Sequence, residues 1–118
     1  MRVLVADDDR DMAAVLSDCV QACGHEVVDT VTGGGLAVIR SFVRHEPDAV
    51  LLDIRMPQYN GLTVCHALLS RKPDTRIIFV SGLVEGDHPF VRSCGAAACL
   101  QKPVGLVELG RALDGPAA

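Results

Sequence analysis

Short apolar runs alternate along the chain with stretches in which apolar residues recur every three or four positions. Val3-Leu4-Val5-Ala6, Ala49-Val50-Leu51-Leu52 and Ile77-Ile78-Phe79-Val80 are continuous and stop at polar or turn-forming residues, the pattern of strands buried on both faces. His25 to Val28 is a weaker strand. Ala96 to Leu100 is a fifth, required by the alternation although its alanines favour strand poorly. Between them, Met12, Val15, Leu16, Cys19, Val20 and Cys23 form one stripe of a helix that ends near Gly24. Gly33-Gly34-Gly35 opens a second helix with Leu36, Ile39, Phe42 and Val43 on its buried face, closed by Pro47. Leu62, Cys65, Leu68 and Leu69 mark a third that ends before Pro73, and Leu106, Leu109 and Leu113 mark the last. Asp87 as N-cap with Pro89 in the first turn predicts a short fourth helix to about Ser93, before Gly95. Five strands alternating with five helices on short connections predict an α/β domain over residues 1–114 with an open, doubly wound parallel sheet, and a linker or tail over 115–118.

Composition adds limits to this picture. A chain of 118 residues fits one domain, and 49% hydrophobic residues with a mean hydropathy of +0.30 exclude disorder. No apolar run approaches the roughly 20 residues of a spanning helix, and Met1-Arg2-Val3 enters a strand instead of a signal-peptide core, so a soluble cytoplasmic protein with no membrane association is expected. Eleven basic against 15 acidic residues give a net charge of −4 without a basic cluster or aromatic platform, which argues against direct nucleic-acid binding. Cys19, Cys23, Cys65, Cys94 and Cys99 form an odd set without CxxC spacing. Cys19 and Cys23 share a helix face, but that face is the apolar stripe, so core packing is favoured over metal binding.

In sheets of this kind functional groups gather outside the carboxyl ends of the strands, where strand order reverses. There the first strand delivers Asp7, Asp8 and Asp9, the third Asp53, the fourth Ser81 and the fifth Lys102. Neighbouring carboxylates repel unless a cation shares the site. A hard divalent ion with oxygen ligands fits, magnesium best, because it takes one or two carboxylates together with phosphate oxygens; zinc fits poorly without His or Cys in these turns. With charge neutralised, a carboxylate can attack phosphorus and carry a phosphoryl group as a mixed anhydride. Asp53 is the expected nucleophile, Asp7 and Asp8 hold the metal directly or through water, Lys102 pairs with one phosphoryl oxygen and Ser81 hydrogen-bonds another. Asp9 and Asp11 are read as a solvated first helical turn, the glycine triplet as a turn without the GK[ST] of a phosphate loop, and the scattered histidines as surface residues.

This ordered set resembles the response-regulator receiver domain of two-component signalling, over the chain from Val3 to about Leu113. The resemblance lies in Asp7-Asp8, in Leu52-Asp53-Ile54-Arg55-Met56-Pro57 with Gly61 behind it, in Ser81, and in Lys102-Pro103. It implies a flavodoxin-like (βα)5 fold with strand order 2-1-3-4-5. It also implies phosphorylation of Asp53 by the phospho-histidine of a histidine kinase or phosphotransfer protein, with Mg2+ held by Asp7, Asp8, Asp53 and the backbone carbonyl of Arg55. Such a domain is not an enzyme in its own right but assists its own phosphoryl transfer and autodephosphorylation. Phosphorylation would draw in Ser81 and reshape the surface of the fourth helix, fifth strand and last helix, for an effector domain, a downstream protein or a homodimer. Cys99 stands where many members carry an aromatic switch residue, and the span between Ser81 and Lys102 is shorter than usual.

Two other readings compete. Asp7-x-Asp9 imitates haloacid-dehalogenase phosphatases, in which the first Asp is the nucleophile, but that leaves Asp53 unused and lacks a further acidic motif after the lysine. A receiver-like docking or dimerisation module without phosphorylation is favoured by Cys99 and the short fourth helix, and opposed by the complete acidic, acceptor and lysine set.

Overall fold

Alternation of side chains along a strand decides how this protein builds its interior. In the computed structural model, which describes residues 1–55, 60–82 and 95–114, the strands are β1 (Arg2–Ala6), β2 (Glu26–Val31), β3 (Ala49–Leu52), β4 (Arg76–Ser81) and β5 (Ala98–Gln101). All pair in parallel in the order β2-β1-β3-β4-β5. Leu4, Val50, Leu52, Ile77 and Phe79 point to one face, Val3, Val5, Leu51, Ile78 and Val80 to the other. Each face therefore needs its own helical layer, which is why β3 is apolar at every position and β1 and β4 are apolar through their middles.

Helices α1 (Arg10–Ala22) and α4 (Leu106–Asp114) cover the face of Val3, and α2 (Gly35–His45) and α3 (Gly61–Arg71) cover the face of Leu4. Full burial of side chains such as Phe79, Leu52 and Leu109 stabilises the fold by about 1.5–3 kcal/mol each relative to exposure. The predicted helix from Asp87 to Ser93, with Pro89, Cys94 and the Met56-Pro57 turn, lies outside the described residues; α4 is the last of the predicted helices.

The expected elements are found with several shifts. β2 runs three residues beyond Val28, because its residues gain backbone partners along the whole of β1 as far as Ala6, with a register irregularity between Val3 and Leu4. On α1 the stripe is narrower than predicted, since Ala13, Leu16 and Val20 are buried while Val15 is 54% exposed. On α2 the buried set is Gly35, Val38, Ser41 and Phe42, and Leu36 and Val43 face outward. Leu106 likewise stays half exposed at the start of α4. A helix resting on a flat sheet buries one narrow arc, and apolar spacing alone does not say which arc. His25 also departs from expectation: its side chain is largely buried and its Nε2 lies 2.8 Å from Asp114 Oδ1, joining the start of β2 to the end of α4.

Candidate functional site

The acidic end of β1 is anchored by backbone before any side chain acts. Asp7 N–H donates to Val31 O at 3.1 Å, and Asp53 N–H donates to Ala6 O at 3.2 Å. The second bond extends the β1–β3 ladder by one residue and sets Asp53 beside Asp7, at the point where neighbouring strands depart in opposite directions. Asp7 Oδ1 then accepts from Asp9 N–H at 2.9 Å, which fixes its carboxylate and turns the chain into α1. Asp9 itself is the N-cap, its Oδ1 accepting from the Asp11 and Met12 amides.

Asp53 is only 6% exposed and Asp7 1%, while Asp8 reaches solvent. One carboxylate oxygen from each of these three lies within 4.8 Å of the others. The main counter-charge comes from the far edge of the sheet. Lys102 N–H donates to Ser81 O at 2.8 Å, continuing the β4–β5 ladder, and the lysine stem reaches inward past β4. Its Nζ lies 2.6 Å from Asp7 Oδ2 and 3.2 Å from Asp53 Oδ2. The contact with Asp53 is a hydrogen bond; that with Asp7 is an ion pair by proximity, for Asp7 Oδ2 is buried without a donor at hydrogen-bonding angle.

Burial pushes the Asp53 carboxyl above the usual carboxylate range. The Arg55 N–H, which donates to Asp53 Oδ1 at 3.1 Å, and the Lys102 ammonium pull the other way without cancelling it, and the nearby Asp7 adds to the rise. Burial works against the Lys102 charge, but the Asp7 and Asp53 carboxylates outweigh it and hold its pKa above the ordinary lysine value. Two carboxylates thus share one ammonium with a third, Asp8, beside them, and one buried oxygen is imperfectly satisfied. This donor set suits a small hard cation, since Asp7, Asp8 and Asp53 offer only oxygens and the excess negative charge is what such an ion offsets. Cys19 and Cys23 are partly buried and pack against the apolar layer beneath α1 and α4.

Ser81 is buried at the end of β4, beside Lys102 in the ladder. Arg55 is exposed next to Asp53 and engages it through its amide. Cys99 is half-buried, in register with Phe79 and packed against the layer covered by α2 and α3. The residues predicted from strand ends therefore gather on one edge of the sheet.

Two supports were less visible in the sequence. Asn60 is the N-cap of α3, its Oδ1 accepting from Thr63 N–H at 3.0 Å; its position before an apolar-periodic stretch was the available signal. Gly61 N–H donates to Ile54 O at 2.7 Å, and a Cβ there would collide with Asp53 O. Only glycine lets the start of α3 lie this close to the segment that follows Asp53.

Comparison with known proteins agrees with this geometry. Residues 3–114 match the family model of the response regulator receiver domain. A protein-glutamate methylesterase/protein-glutamine glutaminase of Archaeoglobus fulgidus is 36% identical over 113 residues, covering 92% of this chain and 32% of the relative. The transcriptional regulatory protein PrrA of Mycobacterium bovis is 37% identical over 109 residues, covering 92% of this chain and 46% of the relative. The chain thus spans less than half the length of these curated relatives. Among solved structures, the CheX-CheY-BeF3-Mg+2 complex of Borrelia burgdorferi superposes with a TM-score of 0.86 at 25% identity, over 96% of this chain and 86% of that one.

Proposed function

The chain belongs to the response regulator receiver domain family, and from that premise we propose that it is a phosphoacceptor, taking a phosphoryl group onto Asp53 from the phospho-histidine of a histidine kinase or phosphotransfer protein in the cytoplasm. The observation that carries the reading is the Lys102 ammonium held at once against Asp7 and Asp53, with Asp8 open to solvent beside them. The BeF3 and Mg+2 named in the Borrelia complex support the same assignment.

Asp53 attacks phosphorus through a carboxylate oxygen; the new O–P bond forms as the P–N bond of the donor breaks, and the departing imidazole takes up a proton. Attack needs the ionised carboxylate, which burial opposes and which the Arg55 amide and Lys102 favour. Lys102, freed from part of its pairing with Asp53, then holds a phosphoryl oxygen, and Ser81 donates its hydroxyl to another. Asp7, Asp8, Asp53 and the Arg55 carbonyl would hold Mg2+, which when bound neutralises charge on the phosphoryl oxygens. Output runs through the surface of β5 and α4 to an effector domain, a downstream protein or a second copy.

The phosphatase reading leaves Asp53 and its pairing with Lys102 without a role, and the Asp9 it would use as general acid serves as the N-cap of α1 through Oδ1. Incubation with acetyl phosphate and Mg2+, followed by intact-mass measurement, tests the proposal. A single adduct on the wild type that is absent from Asp53→Asn is expected. An adduct that survives Asp53→Asn but is lost in Asp7→Asn would move the chain to the phosphatase class, and no adduct with any donor would leave a docking module. Undiminished labelling without Mg2+ would remove Asp7 and Asp8 from their metal role.

A further inference from the structure

Where the strands begin, opposite the acidic site, the ends of α2 and α3 enclose a pocket of about 370 Å3 lined by Phe42, Val43, Glu46, Arg71 and Lys72. Its size falls in the range of pockets that hold a ligand or a large side chain. We propose that it is a docking site for an acidic peptide segment of a partner protein that inserts one bulky apolar side chain.

Three observations converge on this occupant. Phe42 is almost wholly buried and gives the pocket an apolar base, while Val43 is 44% exposed, the outward residue that helical spacing placed in the core. The charge also differs from that of the whole protein: the chain carries −4, yet Arg71 and Lys72 line the pocket against Glu46, with Asp48 near the Lys72 ammonium, and the exposed Arg40 and Arg44 lie on the same helix as Val43. Among the described residues the Arg71 side chain makes no hydrogen bond or ion pair, whereas the Lys72 ammonium is committed to Pro47 O at 3.1 Å and lies 4.0 Å from the Asp48 carboxylate. Basic residues at helix C-termini offset the negative end of the dipole, which explains part of this charge. It explains neither the exposed valine nor the hollow beside it. An apolar anchor flanked by carboxylates satisfies all three features, the anchor filling the pocket and the flanking charges meeting Arg71 and its neighbours.

The site is independent of phosphoryl transfer, and its test does not require Asp53. The immobilised full chain would be offered 12-residue peptides with fixed acidic flanks and randomised central positions. Enrichment of central Phe, Leu, Trp or Tyr is expected. A recovered peptide should then perturb backbone amide NMR signals of Val43, Glu46, Arg71 and Lys72, with binding weakened at least tenfold by Arg71→Gln or by Val43→Asp and reduced by added salt. Both positions are exposed, and unchanged melting of each variant shows that it folds; acetyl phosphate labelling of Asp53 should be unaffected in both. Failure to enrich any peptide, or binding by both variants as tight as that of the wild type, would overturn the proposal. So would binding of phosphatidylserine vesicles or duplex DNA at this face as tight as that of the peptide.

Discussion

The two ends of the sheet carry charge in opposite ways. Where the strands begin, three cations complete the backbone: Arg2 donates to His45 O and Glu46 O at the end of α2, Arg76 to Ala112 O in α4, and Lys72 to Pro47 O. The contacts of Arg2 and Arg76 satisfy carbonyls that helix ends leave without partners, and that of Lys72 satisfies one in the connection between α2 and β3. Where the strands end, carboxylates outnumber the cation buried among them, and Asp7 Oδ2 is enclosed without an aligned donor. Arg2, Lys72 and Arg76 are spread out and bonded to backbone, whereas the carboxylates at the strand ends are crowded and in excess of the cation among them.

The contrast can be tested by removing one cation from each end, beginning with the larger effect. Lys102→Ala leaves Asp7 and Asp53 buried without their ammonium and should destabilise the metal-free protein by about 3 kcal/mol, measured by urea unfolding. Mg2+ should restore part of that loss; a cost below that of the control at the other end would erase the distinction. Next in size, Gly61→Ala should cost about 1–3 kcal/mol, since its Cβ must displace the backbone of Asp53 and Ile54, and should also slow acetyl phosphate labelling.

A smaller effect carries an informative sign. The folded-state pKa of Asp53 is raised, so folding favours its protonated form; this contribution is full below the unfolded carboxylate pKa and is lost as pH rises through the folded value. Asp53→Asn should therefore be more stable than the wild type at pH 7 without Mg2+, with the difference fading toward pH 3. Mg2+ should stabilise the wild type more than the variant, by mass action. A less stable Asp53→Asn at pH 7 would mean that pairing with Lys102 outweighs burial. The smallest change is expected for Lys72→Ala, under about 1 kcal/mol, since its ammonium is partly exposed and lies 4.0 Å from the Asp48 carboxylate.

Much of this end of the molecule was legible from residue order, because a parallel sheet forces its carboxyl ends to one edge and Asp7, Asp53, Ser81 and Lys102 each follow an apolar run. The helical faces were less legible. Val15, Leu36, Val43 and Leu106 satisfy the spacing of a buried stripe and yet face outward, since which arc a helix buries is settled by how it rests on the sheet.

The sequence by itself determined the alternation of strands and helices, the membership of the acidic edge and the candidate nucleophile, because strand burial and turn chemistry are local and periodic. Only the tertiary structure decided that one ammonium bridges two carboxylates, that Gly61 must lack a side chain because α3 abuts Asp53, that His25 reaches Asp114, and that Val43 stands beside a basic hollow. Those facts depend on distances between segments far apart in the chain, which no local pattern encodes.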